Sequence, residues 1–489
     1  MSARPDDRVA FLQNNAINES LGLCDLAGHL KARGVATRLF LRREERALPE
    51  RLRSFDPRLV VIPCDLLGHN AALGLARMAK SATRAPVVLG GTHPTFFPNV
   101  VLRDGVDFAF AGEAEGVVAE LLDAVREGRS ADEIPNLIRR DGAGYRANPL
   151  RPIAPDLDGS PMPDREIYFR YPFMAAFPVK KFSTGRGCHN ACGFCFNPSY
   201  RAMLSTPRGF FRRKGADRIV REIIEVRGRH PLAVVHFSDD LFSSGEEWLG
   251  ELMEAYRGRV GLPYSCNTFA TTINERTVPM MKDGGCRVVA LGLEIADDRL
   301  RREVMNKPIT ADEVVNATRQ LKEAGIRVVT FNILGLPWSS IDGDLDTLAL
   351  NQRIGADHTR TTILVPFPKS AMAGKLAAAG YLAADFEDRI YEVADLPAWP
   401  SGELFRQRDA DVTRRLYRLW PLLLRLRLSK RLARRLVTWR WSALLALPAL
   451  FLAMNAERRI FGFGWRAGIR YFLHVRSPNL KTSNYVSFI

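Results

Sequence analysis

Three cysteines fall within eight residues of a 489-residue chain that holds only seven in all: Cys188, Cys192 and Cys195, in the stretch Arg186-Gly-Cys-His-Asn-Ala-Cys-Gly-Phe-Cys195. Their spacing, three and then two intervening residues, suits a tight loop that turns three thiolates toward one metal centre. An iron-sulfur cube normally takes four thiolates, so a loop supplying three leaves one iron open to a small-molecule ligand. The blander alternatives are a structural zinc site or inert thiols. Finger-type zinc sites pair two Cys/His halves, and no second half is present: Cys266 and Cys286 are isolated, and His189 lies inside the loop. Disulfides need an oxidising compartment, whereas Met1 to Asp7 is polar and charged, unlike a secretory leader. Reduced thiols in the cytoplasm are the expectation.

A chain of this length with 46% hydrophobic residues exceeds one compact core, so two or three domains are expected. The charge is unevenly spread. From Ser401 onward there are 18 Lys/Arg against 4 Asp/Glu, so 14 of the 16 net positive charges belong to the tail.

Residues 1–130 alternate short apolar runs with helical spacing. Strands are expected at Val9 to Asn14, Val35 to Leu41, Leu59 to Cys64, Pro86 to Gly91 and Phe108 to Gly112, with helical spacing between them, as at Leu21-Leu26-Leu30 and Leu73-Leu75-Met78. That rhythm predicts a parallel doubly wound sheet, whose ligands sit beyond the carboxyl ends of its strands. Residues 131–180 are proline-rich, with Pro149, Pro152, Pro155, Pro161 and Pro163 among Asp156, Asp158 and Asp164. Proline fixes the backbone and removes a donor, which predicts an ordered linker rather than helix or sheet. Over 181–380 the alternation resumes, with strands expected at Lys181 to Thr184, Ala233 to Phe237, Tyr264 to Thr268, Val288 to Leu293, Arg327 to Leu334 and Thr361 to Pro366. Six strands with crossover helices predict a partial (β/α)6 barrel with its site at the carboxyl ends.

Two segments carry a resemblance in the first domain. Val87-Val-Leu-Gly-Gly-Thr-His-Pro-Thr95 and Gly105-Val-Asp-Phe-Ala-Phe-Ala-Gly-Glu113 are similar to the Rossmann-like cobalamin-binding domain that precedes many radical S-adenosylmethionine (SAM) domains. The resemblance implies cobalamin contacts at Gly90, Gly91, Thr92, His93, Gly112 and Glu113, with the two adjacent glycines leaving room for the nucleotide tail. Cobalamin mutases carry an Asp-x-His-x-x-Gly loop whose His ligates cobalt. The aligned stretch here is Ile17-Asn-Glu-Ser-Leu-Gly22, with Glu19 in the place of that His and Gly22 closing the loop. Base-off cobalamin without a lower histidine ligand is the expectation.

The second domain resembles radical SAM enzymes, and the cysteine loop is the most specific part of that match. The resemblance implies a [4Fe-4S] cluster on Cys188, Cys192 and Cys195, with Phe194 near the adenine of SAM. Phe237-Ser-Asp-Asp-Leu-Phe242 is similar to the segment that receives the SAM amino group, which assigns Asp239 and Asp240; a helix N-cap is their alternative role. Leu291-Gly-Leu-Glu294 and Val304-Met-Asn-Lys-Pro308 resemble the Gly-x-Glu strand and Asn-Lys turn, placing Glu294 toward SAM, with Asn267 on the preceding strand. Phe331-Asn-Ile-Leu-Gly-Leu-Pro337 resembles the strand flanking adenine, through Ile333 and Gly335. The family follows that segment with Glu, where Trp338-Ser339 stands here.

The last hundred residues read differently. Val412, Leu416, Leu419, Trp420 and Leu423 form one helical stripe opposite Arg414, Arg418 and Arg425, with Pro421 expected to break or restart the helix. Leu428, Leu432 and Leu436 stand beside Arg427, Arg431, Arg434 and Arg435, and Trp441 to Met454 runs apolar for 14 residues. That run is short for a bilayer span. Two readings fit equally: a basic amphipathic region lying on the inner face of an anionic membrane, or a helical cap packed over the barrel mouth with its arginines merely solvated. The aliphatic and aromatic content argues against nucleic acid.

As a whole, residues 1–380 resemble cobalamin-dependent radical SAM methyltransferases. That implies C-methylation of an unactivated carbon on a hydrophobic substrate (a lipid, isoprenoid or natural product), with electrons from a flavodoxin or ferredoxin. Cyclases or oxidoreductases with the same cofactors are one alternative; a cobalamin sensor or carrier with a structural cluster is another. Methylthiotransferases acting on transfer RNA need a second cysteine trio near the N-terminus, where only Cys24 and Cys64 stand.

Overall fold

A computed structural model describes residues 7–14, 16, 19–66, 68–205, 207–392, 404–407, 409–439 and 442–461. Ile17, Asn18 and Trp441 of the segments above therefore lie outside the described residues. The chain divides into two compact units: Met1–Ala176 with Ser199–Arg212 and Arg389–Ala398, and Phe177–Pro198 with Arg213–Asp388 and Trp399–Ile489.

The first unit is built on a seven-stranded sheet: β1 (Arg8–Gln13), β2 (Ala36–Leu41), β3 (Leu59–Pro63), β4 (Val87–Gly90), β5 (Phe108–Phe110), β6 (Leu137–Asp141) and β7 (Gly144–Ala147), in the order β2-β1-β3-β4-β5-β6-β7. The first five strands are parallel. Strands buried on both faces read as unbroken apolar runs, and Val9 to Leu12 of β1 are fully buried. The hairpin of β6 and β7 is antiparallel and falls inside the stretch expected to be a linker without sheet. Leu137 and Ile138 are buried, and that burial draws the chain onto the sheet edge. The proline-rich part that follows carries no helix or strand until Glu166–Phe169.

The second unit holds a six-stranded parallel sheet with strands in sequence order: β8 (Val179–Phe182), β9 (Val234–Phe237), β10 (Tyr264–Thr268), β11 (Cys286–Glu294), β12 (Arg327–Leu334) and β13 (His358–Ile363). This is the half-barrel that the alternation predicts. One face packs on crossover helices through Phe237, Phe242, Tyr256 and Tyr264, whose rings meet at centroid distances of 4.7 to 5.8 Å. The inner face is lined at its base by Val179, Val288, Ala290 and Val329, which cluster with Ile460 of the C-terminal helix Ala446–Phe461. Strand β13 starts earlier than its apolar residues suggest, because its polar half is buried: Thr359 accepts a hydrogen bond from Trp420 Nε1 at 2.9 Å.

That bond belongs to the helix Ala410–Leu426, which runs unbroken through Pro421, contrary to the expected break. The buried stripe Leu416, Leu419, Trp420 and Leu423 packs on Leu334, Ile341, Leu345 and Leu348. Burying that stripe outweighs the one intrahelical hydrogen bond that proline removes. The stripe is therefore a cap on the half-barrel's helical layer. Among the described residues, no helix is long and apolar enough to cross a membrane.

Candidate functional site

The cysteine loop leaves β8 and is tied down from two sides. Gly193 N donates to Met305 O at 2.7 Å, and Gly193 O accepts from Met372 N at 2.8 Å; Asn306 Nδ2 reaches Ala191 O at 2.6 Å. Cys188 is buried, Cys192 and Cys195 are half-buried, and none of the three is in a disulfide. Burial pushes Cys192 up to about 11, with Lys307 pulling the other way, and pushes Cys195 up to about 12. Near neutral pH such thiols keep their protons until a metal displaces them. Among the described residues, no group of three or more His, Cys, Asp or Glu side chains is arranged to hold a metal ion. Three soft donors spaced on a pinned loop fit a cluster of several irons.

The carboxyl ends of the next strands surround this loop, and the structure divides the aspartate pair. Asp239, expected at the SAM amino group, is buried and spent on the protein: it accepts from Thr184 N at 2.9 Å and from Thr184 Oγ1 at 2.9 Å, with Arg213 at 3.9 Å. Arg213 also holds Thr184 Oγ1 and the carbonyls of Leu241 and Phe242, and lies 4.0 Å from the Trp248 ring centroid. Asp239 is thus a brace for the loop, and no helix starts there for it to cap. Asp240 is the exposed member, and it accepts from Asn197 Nδ2 at 2.8 Å, two residues past Cys195. On β10, Asn267 leaves Oδ1 buried with no hydrogen-bond partner among the described residues.

At the end of β11, Glu294 adopts φ +64, a left-handed conformation that costs a non-glycine residue of order 1–3 kcal/mol. Its carboxylate bonds Lys307 Nζ at 2.7 Å, with side-chain exposures of 8% and 4%. A side chain at Gly292 would strike both Lys307 Nζ and Glu294 Oε1, so Gly292 makes room for the pair. Lys307 stands 6.0 Å from the Phe194 ring centroid and 5.0 Å from that of Phe269. Fully buried Arg301 ties the following turn by bonding the carbonyls of Leu293, Ile295 and Ile309. Ile333 is half-buried on β12; beyond it Gly335 turns at φ +73, its N–H on Asp344 Oδ2 at 3.1 Å and its carbonyl on Gln407 Nε2 at 3.1 Å. Burial pushes Asp344 up to about 7. Lys307 sits in the quoted Asn-Lys turn, but its partnership with Glu294 needs the third dimension. Nothing in the sequence signals Arg213 or Gln407.

In the first unit the expected residues gather at the carboxyl ends of the strands. Glu19 is buried with Arg165 at 3.8 Å, and its Oε1 meets no hydrogen-bond partner among the described residues. Gly22 faces open space, whereas a side chain at Gly90 would strike the Phe110 ring. The close approach that demands glycine at 90 is thus made by a protein side chain. Gly91 (φ +117) reverses the chain under Cys64 O, and Thr92 Oγ1 accepts from Leu66 N at 3.2 Å. Gly112 N donates to Thr95 Oγ1 at 3.0 Å, Glu113 pairs with Arg212, and Tyr200 Oη packs over Gly112.

His93 is fully buried and stacks on His69 at 4.8 Å; burial, then His69 and Arg103, push it down to about 3. Tyr391 Oη lies 3.2 Å from His93 Nε2 and 3.1 Å from Asn99 Oδ1. Its single proton goes to Asn99, so its oxygen accepts from His93 Nε2–H. His93 Nδ1 and both nitrogens of His69 meet no hydrogen-bond partner among the described residues. Native interiors rarely orphan so many polar atoms; they fit a domain shaped around a polar cofactor. Neither His69 nor Tyr391 is signalled by the sequence as part of this group.

Comparison with known proteins agrees with both halves. Residues 14–122 match the family described as B12 binding domain, and residues 182–348 match the Radical SAM superfamily. An uncharacterized methyltransferase of Pyrococcus horikoshii is 26% identical over 322 residues, which cover 65% of this chain and 69% of that protein. A cytidylyl-2-hydroxyethylphosphonate methyltransferase of Streptomyces wedmorensis is 24% identical over 298 residues, 54% of each chain, so the match spans about half of that relative. The solved structure of the radical SAM methyltransferase TsrM from Kitasatospora setae, with cobalamin and [4Fe-4S] cluster bound, superposes with a TM-score of 0.62 at 19% identity, covering 77% of this chain and 79% of that one. The fold and site thus define a radical SAM enzyme with a B12-binding domain ahead of its half-barrel. The chain carries a B12-binding domain at residues 14–122 and a Radical SAM superfamily domain at residues 182–348.

Proposed function

We propose that the chain methylates an unactivated carbon of a hydrophobic small molecule, a lipid, isoprenoid or natural product. The observation that carries the reading is the pinned loop of three unlinked thiols beside the buried Glu294–Lys307 pair. Both relatives named above are called methyltransferases, which supports methyl transfer. Cys188, Cys192 and Cys195 would hold the cluster. Asp240 would attract the SAM ammonium, Asn267 Oδ1 and Glu294 would take further polar contacts, and Phe194, Ile333 and Gly335 would flank the adenine. Glu19, Gly22, Gly90, Gly91, Thr92, His93, Gly112 and Glu113 would frame cobalamin, base-off because a carboxylate stands where the ligating imidazole would be. When bound, these groups supply radical formation and the methyl carrier. The chain's own residues orient them and keep water out.

Seven cysteines outside any disulfide fit a reducing compartment such as the cytoplasm, where a flavodoxin or ferredoxin would supply the electron. Leu426, Leu432, Trp439, Leu447 and Phe451 remain exposed in the basic tail, which supports contact with the inner face of an anionic membrane. The test is anaerobic reconstitution with iron, sulfide and cobalamin, then incubation with SAM and reductant. 5'-Deoxyadenosine is expected, with one S-adenosylhomocysteine for each methyl group gained. Absence of 5'-deoxyadenosine would refute the reading; its formation without methyl gain would move it to ring closure or oxidation.

A further inference from the structure

The turn that follows β12 is gripped on both sides of one glycine. Gly335 turns at φ +73, and its N–H donates to the buried Asp344 carboxylate, 3.1 Å from Oδ2. Its carbonyl accepts from Gln407 Nε2 at 3.1 Å. A side chain at Gly335 would strike that same Nε2 and the methyl group of Thr413, so glycine is what admits the C-terminal region to the end of this strand. Gln407 closes a short segment, Leu404 to Gln407, that pairs with the chain just after the helix Ala371–Ala378. Ala383 N donates to Leu404 O at 3.0 Å, Arg406 N donates to Tyr381 O at 2.7 Å, and Leu382 bridges Phe405 antiparallel. The same helix carries Met372, whose N–H holds Gly193 O of the cysteine loop at 2.8 Å, and Lys375, whose Nζ bonds the carbonyls of Glu303 and Val304. A run of hydrogen bonds thus joins the cysteine loop to the Gly335 turn through residues beyond 370.

We propose that Gln407 is a positioning residue for the adenine half of SAM: it fixes the Gly335 carbonyl and so sets the turn against which the adenine lies. The C-terminal segment is thereby a component of the SAM site as well as a neighbour of the helical cap. The inference rests on the reading that Ile333 and Gly335 flank the adenine, and it deepens that reading with a residue from outside the half-barrel. Glycine populates more of backbone space than any other residue, so a glycine at a ligand-facing turn holds one shape only if its neighbours impose it. Here the two peptide planes that flank Gly335 are held separately, one by Asp344 and one by Gln407. A turn ordered before the ligand arrives spares the ordering cost at binding.

The test titrates the reconstituted holoenzyme calorimetrically with SAM. Gln407→Ala, and the isosteric Gln407→Glu that keeps the shape but removes the donor, should each weaken binding about three- to tenfold, the worth of one hydrogen bond. In 5'-deoxyadenosine formation the loss should fall on the KM for SAM with kcat little changed, as for a contact made equally in the ground and transition states. Gln352→Ala removes a bond to Leu423 O in the helical cap and should leave SAM binding unchanged, which tells a loosened cap from a lost Gly335 contact. Melting of each variant separates weakened binding from lost fold, and Gln407→Glu carries the test if Gln407→Ala unfolds. If the parent binds SAM and both Gln407 variants match it, or if Gln352→Ala weakens binding as much as they do, this proposal alone is refuted. A parent holoenzyme that binds no SAM refutes the SAM-site reading beneath it as well.

Discussion

Replacing Lys307 by Met should destabilise the second unit far more than replacing both members of its ion pair. Lys307 Nζ and Glu294 Oε1 stand 2.7 Å apart with almost no solvent exposure. At an effective dielectric of about 20, Coulomb attraction at that distance is about 6 kcal/mol, but removing each ion from water costs several kcal/mol. The two terms nearly cancel, so the intact pair adds little net stability. Breaking it does not cancel: Lys307→Met leaves a buried carboxylate without its cation, at a cost of about 3–5 kcal/mol. The double variant Glu294→Gln/Lys307→Met removes both charges at similar volume and should fall within about 1 kcal/mol of the parent. Urea unfolding followed by circular dichroism, arranged as a double-mutant cycle, reads the difference. A cost below about 1 kcal/mol for Lys307→Met, or additive single effects, would show that the pair is solvated and the reasoning wrong.

His93 is held neutral, so acid favours the unfolded first unit, which takes up the proton. Moving from pH 7.5 to 5.5 should cost about 1.4 kcal/mol through this group, a slope that His93→Gln removes. Asp344 runs the opposite way: with its folded pKa about 7, the same pH change should stabilise the second unit by about 2 kcal/mol, measured as a difference from Asp344→Asn. Trp420→Ala should cost about 3–5 kcal/mol, because the indole is buried and bonded to Thr359; a cost near zero would free the helix for another surface. Alanine at Cys188, Cys192 and Cys195 together should abolish the visible absorption of the reconstituted cluster while leaving far-UV circular dichroism unchanged, and persistent iron loading would overturn the ligand assignment.

The sequence alone determined the strand-and-helix alternation of the two sheets, the β6–β7 hairpin excepted, and the position of the cysteine loop. Both depend on local patterns: apolar runs buried on two faces, as at Val9 to Leu12 and Val288 to Leu293, and thiols close enough in the chain to share a loop. What only the tertiary structure decided is which polar groups face one another across strands far apart in sequence. Asp239 and Asp240 are adjacent in the chain, yet one is consumed by Thr184 and Arg213 while the other stays exposed. Likewise Glu294 meets Lys307, His69 stacks on His93, and Gln407 reaches Gly335, pairings that no local spacing encodes. The C-terminal stripe makes the same point: its period fixed a helix, but the same grease suits a membrane or a protein neighbour. For this stripe alone, the packing of Trp420 and Leu423 against Leu345 and Leu348 shows a protein neighbour. Hydrophobic periodicity says that a face is buried, and the identity of what covers it is a property of the folded chain.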